Sequence, residues 1–170
     1  PLVTALGIAG DENAGTFEDF APAFKAAGIQ NRTVHAGEAA GFQSVLDALK
    51  ILNPQRIGHG VRLIENAAAM QAAKDAGLTL EVCVSSNIAM RVFNDYAAHP
   101  LRRLYDFGLK ITLGSDEPAF FGSSIGREYA LAHEKFGFTP KELRNMSHTA
   151  IDSAFVDENT RARLRARLAL

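Results

Sequence analysis

Cysteine is almost missing from this chain: Cys83 is the one thiol in 170 residues. That excludes a disulfide framework and points to a reducing compartment, the cytoplasm. No apolar run approaches the roughly 18 residues that a membrane-spanning helix needs. The amino end lacks the charged-then-apolar layout of a signal peptide. Charge of one sign is missing as well. Lys and Arg number 18 against 19 Asp and Glu, a net charge of −1, so neither nucleic acid nor a membrane surface is an expected partner. Low-complexity linkers are absent, and 47% hydrophobic with 22% charged residues is globular composition. A single domain over residues 1–170 is expected. A starting methionine is absent too: the chain opens at Pro1, an end made by processing or truncation.

What the chain does have is a repeated unit. Extended stretches at Leu2 to Ile8, Gln30 to Val34, Arg56 to Ile57, Leu78 to Val84 and Lys110 to Leu113 alternate with helical ones. Thr16 to Ala27, Phe42 to Leu52, Glu65 to Ala76 and His99 to Phe107 carry apolar residues at helical spacing; Gly28, Gly77 and Gly108 each stop one. Phe17, Phe20 and Phe24 share a face of the first helix, which Thr16 caps with Asp19 three residues on. Strands alternating with helices of this length imply a parallel sheet with right-handed crossovers. Three more helices follow: Ser124 to Phe136, one opening at Thr139-Pro140-Lys141-Glu142 with a capping box, and one from about Asp157. The first strand (Leu2-Val3-Thr4-Ala5-Leu6) and the last (Ile111-Thr112-Leu113) are apolar and uncharged, unlike ordinary sheet edges. The fold class expected is therefore α/β, the later part of a (β/α)8 barrel comprising about five βα units, with extra carboxyl-terminal helices.

Four polar segments close the strands: His35-Ala36-Gly37-Glu38, Gly58-His59-Gly60, Ser85-Ser86-Asn87 and Ser115-Asp116-Glu117-Pro118. Carboxyl ends of parallel strands share one mouth, where such folds place their chemistry. Adjacent carboxylates at Asp116 and Glu117 are costly near a barrel interior unless a cation or substrate uses them. Imidazole plus carboxylate is the donor set of a catalytic zinc ion with an open position. His59, between two glycines and with no carboxylate beside it in sequence, suits a general base or an electrostatic partner. The remaining candidates have plainer readings. His99 marks a helix start and Cys83 is a packed thiol. Phe120 and Phe121 pack. Arg161, Arg163, Arg165 and Arg167 spread over a solvated helix. Ser85, Ser86 and Asn87 either turn the chain or orient His59 or the substrate.

In this order, His-Ala-Gly-Glu, Gly-His-Gly about 20 residues later, Ser-Asn and Ser-Asp-Glu-Pro, the segments resemble the adenosine and adenine deaminase family of metal-dependent hydrolases. The resemblance runs from Ala9-Gly10-Asp11-Glu12 to the helices after Pro118, and makes the chain the carboxyl-terminal half of such a barrel. It implies one Zn²⁺ ion held by His35 and Asp116. Glu38 would protonate N1 of a purine, and His59 would stand beside the metal-bound water. Gly10 and Glu117 would contact the substrate, a small aminopurine. Zinc lowers the pKa of bound water to about 7, which suits hydrolytic deamination with release of ammonia. Glu38 must then start protonated, in a dry pocket.

Two departures shape this expectation. The family takes two further zinc ligands from a His-x-His pair, and no His-x-His occurs here; His99, His133 and His148 stand alone. A complete barrel needs about 250 residues. The missing ligands and the missing strands both belong to an amino-terminal half, so association with that half or with a second copy is expected. Glu117 stands where the family usually has Asp, which leaves room for a modified adenine or a pterin as substrate. A catalytically inactive half-barrel is the non-enzymatic alternative.

Overall fold

The computed structural model describes residues 3–168. The chain runs β1 (Leu6–Ile8), α1 (Phe17–Ala27), β2 (Arg32–Ala36), α2 (Phe42–Leu52) and β3 (Arg56–His59), then a 3₁₀ turn (Val61–Glu65). It continues through α3 (Ala67–Asp75), β4 (Thr79–Val82), α4 (Val84–Ala89), α5 (Leu101–Phe107), β5 (Lys110–Leu113) and α6 (Pro118–Phe121). The last helices are α7 (Ile125–Phe136), α8 (Pro140–Ser153) and α9 (Glu158–Leu168). All strand pairs are parallel, and the sheet order β1-β2-β3-β4-β5 follows the chain. That order, with a helix after each strand, is the barrel type of winding rather than a doubly wound sheet, whose order reverses.

Register explains where the core lies. Val34, Ile57, Leu80 and Ile111 stand in line across β2 to β5 and are all buried. Their neighbours Val45, Ala48, Leu52, Ala69, Ala73, Leu101 and Leu104 come from α2, α3 and α5, so this face packs against the helices. The alternate residues of the strands, such as Thr33, His35, Arg56 and Glu81, are polar and half-buried. Thr33 donates to Glu81 (2.9 Å), which also pairs with Arg56 (3.2 Å), and the Arg56 guanidinium lies 4.1 Å from the centre of the Phe155 ring. A charged group away from bulk water requires such partners.

The local rules work as expected at several ends. Gly28 and Gly108 take left-handed conformations after α1 and α5, and Asn53 does so after α2. Thr139 and Glu142 form a capping box at α8, and the Thr16 amide and hydroxyl both reach Asp19 at α1. Other expectations need correction. The first strand begins only at Leu6; Val3, Thr4 and Ala5 pair with nothing in the sheet, and Leu2 lies outside the described residues. Phe20 turns outward on α1 while Phe24 is buried, so the three phenylalanines do not all face the core. The long β4 expected to Val84 stops at Val82, because Cys83 already caps a helix that carries Ser85, Ser86 and Asn87.

Candidate active site

The carboxyl end of each strand delivers one polar group to a common mouth. His35 is the penultimate residue of β2, and Gly37 (φ 70°) turns the chain so that Glu38 points back toward it. His59 ends β3 with φ 64°, and Asp116 follows β5 with φ 54°. Positive φ costs a residue with a Cβ roughly 1–2 kcal/mol, and such strain concentrates at functional sites. At His59 it also breaks the in-out alternation of the strand and swings the imidazole into the mouth. His35 Nε2 lies 3.6 Å from Glu38 Oε2, His59 Nδ1 lies 3.2 Å from Glu38 Oε1, and His59 Nε2 lies 4.0 Å from Asp116 Oδ2. The two imidazoles stack edge to face at 4.7 Å.

Burial sets the charges. Removal from water raises the Glu38 carboxyl to about 7; the Asn87 amide opposes this, while the Asp116 and Glu12 charges add to it. The same burial, helped by His35, drives His59 down to about 4 against the pull of Asp116 and Glu12. Glu38 and His59 are therefore not an ion pair near neutral pH. Cys83, also buried, has its thiol pushed far up and stays protonated.

Side chains from elsewhere hold this cluster. Asn87 of α4 donates to Glu38 Oε1 at 2.6 Å and sits 3.2 Å from His59 Nδ1. Glu12, on the loop after β1, accepts the N–H groups of Gly37, Glu38 (3.1 Å), Ala39 and Ala40 (2.9 Å) and the Ser44 hydroxyl (2.8 Å). Burial tends to raise this carboxyl, but the Ala40, Ala39 and Ser44 hydrogen bonds outweigh it and hold Glu12 below its ordinary value. Beside it a cavity of about 440 Å³ is bounded by Gly10, Glu12, Phe17, Phe20, His35 and Ser44. Gly10 (φ 137°) has nothing within 4 Å of where a Cβ would sit.

Two donor groups lie within 4.8 Å among the described residues: His35, Glu38 and His59, and His59, Cys83 and Asp116. His35 and Asp116 accept no hydrogen bond from any described residue, and each is partly exposed, at 19% and 27% of its side chain. An imidazole and a carboxylate beside His59, neither with a side-chain hydrogen bond among the described residues, fit a divalent metal ion.

The family model described as "Adenosine deaminase" matches residues 2–169. The chain belongs to the adenosine deaminase family. The adenine deaminase of Agrobacterium fabrum is 50% identical over 171 residues, and that of Mesorhizobium japonicum 48% identical over 173; each alignment takes 99% of this chain and 52% of the relative. The chain thus spans about half the length of the curated relatives it matches. Among solved structures, the adenine deaminase of Arthrobacter aurescens superposes with a TM-score of 0.92 at 26% identity, over 98% of this chain and 52% of that one. An amidohydrolase of Burkholderia ambifaria with bound Zn superposes at 0.85 with 29% identity, over 96% and 46%. An N6-mAMP deaminase of Arabidopsis superposes at 0.88 with 25% identity, over 98% and 50%. The sheet is thereby part of the TIM-barrel fold of the metal-dependent amidohydrolases.

For a member of this family the residues expected from sequence fall into two sets. His35, Glu38, His59 and Asp116 converge, and Gly10 lines the adjoining cavity. Glu117 does not join them: it is exposed, stands at the start of α6, and its carboxylate bonds to no described residue. Phe120, 81% exposed, contributes nothing to the core. Sequence reading missed Glu12 as the clamp of the Glu38 loop and left Asn87 undecided. Glu12 lies in the loop after β1, two residues beyond Gly10, so its place near the mouth could be read from sequence but its bonds to the Glu38 loop could not.

Proposed function

We propose that this chain supplies the catalytic face of a hydrolytic aminopurine deaminase, acting on adenine or adenosine and releasing ammonia. The observation that carries the reading is Glu38, a carboxyl pushed up to about 7, so that a substantial fraction is neutral at physiological pH, within reach of two imidazoles and facing the mouth. A neutral carboxyl can donate a proton to a purine ring nitrogen; an ionised one cannot. His59 stays neutral beside Asp116 as the partner of the attacking water. Gly10 leaves open backbone for the flat base to approach. His35 and Asp116 are the residues of this chain that would hold a zinc ion, completed by ligands outside it. When bound, such an ion supplies Lewis-acid activation of water.

The adenine deaminase relatives and the fit of the donor set support this assignment. Glu117, exposed and one methylene longer than Asp, supports a second reading in which an N6-substituted adenine is taken, the chemistry named for the Arabidopsis neighbour. One assay separates the two. Full-length protein carrying this chain, loaded with Zn²⁺ and followed by formation of the 6-oxopurine or oxopterin, should convert adenine or adenosine, with release of ammonia, faster than N6-methylated nucleotides, with release of methylamine, or a pterin. Silence on the whole panel would sink both readings. Within the active protein, Glu38→Gln should lower kcat by about 10²–10⁴-fold with little change in KM, because an amide cannot deliver the proton.

A further inference from the structure

Asn87 and His99 are buried polar residues, 0% and 3% exposed, that the proposed chemistry does not use. Their hydrogen bonds can be followed from a donor whose identity is certain. The backbone N–H of Leu101 points at His99 Nδ1 at 3.2 Å. A backbone N–H only donates, so Nδ1 carries no hydrogen, and the neutral ring carries it on Nε2. Burial and the nearby Arg103 both push His99 down to about 4, which agrees with a neutral ring. Nε2 lies 3.1 Å from Asn87 Oδ1 and donates to it. The carboxamide is thereby oriented by the network, since its other rotamer would set an NH2 against an N–H.

The NH2 group of Asn87 then faces two atoms, Glu38 Oε1 at 2.6 Å and His59 Nδ1 at 3.2 Å. It has two hydrogens, one for each, and the 3.2 Å approach of His59 Nδ1 to Glu38 Oε1 is then a contact of two acceptors bridged by the same amide rather than a hydrogen bond between them. We propose that Asn87, locked by His99, is a positioning residue that fixes the tautomer of His59 and the oxygen through which Glu38 accepts. His59 Nδ1 accepts, so the ring hydrogen sits on Nε2, toward Asp116 Oδ2. Glu38 Oε1 accepts from Asn87, which leaves Oε2 as the oxygen free to carry a hydrogen. His59 then acts on the adding oxygen as a hydrogen-bond donor through Nε2, not as a base. This catalytic consequence rests on the deaminase reading; the hydrogen positions do not.

Ring ¹⁵N shifts in histidine-labelled protein read the two tautomers directly. In the full-length protein both His59 and His99 should show a bare Nδ1 and a protonated Nε2. His99→Gln, whose amide N–H can replace the Nε2 donor, should leave the His59 pattern unchanged, whereas Asn87→Asp should move a hydrogen onto His59 Nδ1. A protonated His59 Nδ1 in the native protein overturns the proposal, whatever the activity. Kinetics supply the second readout. Asn87→Asp should lower kcat about 10²-fold or more while KM changes by only a few-fold, and His99→Gln should retain much more kcat than His99→Leu. Equal losses in the two His99 variants would also overturn it. The expected shifts in a protein that deaminates nothing would sink the deaminase reading alone.

Discussion

Glu12 shows how much one side chain can hold. Its carboxylate gathers four consecutive N–H groups and the Ser44 hydroxyl, and the loop it fixes carries Glu38. Hydrogen bonds to a charged group are worth about 1.5–3 kcal/mol each, but this site is partly open to water. Glu12→Gln should therefore cost about 2–4 kcal/mol in urea unfolding and lower kcat as the Glu38 loop loosens. A loss under about 0.5 kcal/mol would show that the loop stands without the clamp. The pH dependence of stability at this site has a definite sign. Glu38 rises from 4.5 to about 7 on folding, so the folded state binds a proton that the unfolded chain lacks between those values. Its contribution is fully present below about 4.5 and is lost as pH rises through 7. His59 and His99 work the other way, from 6.5 down to about 4: their stability is present above 6.5 and is lost as pH falls through 4. Comparing metal-free native protein with Glu38→Gln isolates the first group. The variant should gain stability relative to native between pH 4.5 and 7.5, and a pH-independent difference would refute the raised Glu38. Of the site, His35, Glu38, His59 and Asp116 were legible in sequence because each stands at or just beyond the carboxyl end of a strand. Glu12 and Asn87 were not, since their bonds to Glu38 and its loop span 25 to 49 residues of sequence.

At the scale of elements, helices and strands were legible where the pattern and the caps agreed. α2 and β5 occupy the residues expected, and the capping box at Thr139 opens α8. The short elements were missed. The turn at Val61–Glu65, α4 and α6 have five, six and four residues, too few for any periodicity to register. α4 matters most, because a helix beginning at Val84 is what turns Asn87 inward beneath His59, where a loop would leave it free. The β2–α2 connection gives an element-scale prediction. Gly37 has φ 70°, and an added Cβ would lie 2.4 Å from Val45 Cγ2 and 3.2 Å from the Gly60 backbone. Left-handed strain of about 1–2 kcal/mol and overpacking of about 1–3 kcal/mol would both apply. Gly37→Ala should thus lose at least about 2 kcal/mol, measured by thermal or urea unfolding. Near-native stability would mean that this turn relaxes without moving α2.

The whole molecule is a sheet that does not close among its described residues. β1 and β5 each pair on one side only, which leaves backbone N–H and C=O groups of both strands without sheet partners. The edges differ from the sequence expectation in degree. β1 is only three residues long, and Lys110 at the head of β5 is exposed, both of which blunt an edge. The inner face is also more polar than a packed barrel interior, with the Thr33, Arg56 and Glu81 network on it. Apolar attraction between two copies is correspondingly weak there, while unpaired strand backbone is not satisfied by burying polar side chains. Exposed Met90, Phe120 and Ile125 add separate apolar patches. We therefore expect this chain alone to associate through β1 and β5, with a second copy or with a chain that supplies the missing strands, and to hold zinc weakly, because His35 and Asp116 are two donors where a tetrahedral catalytic site uses three. Sedimentation velocity at several concentrations, with metal analysis of each boundary, tests both halves of that statement. A concentration-dependent dimer or larger species with little bound zinc is the expected result; a compact monomer retaining stoichiometric zinc would show that five strands suffice.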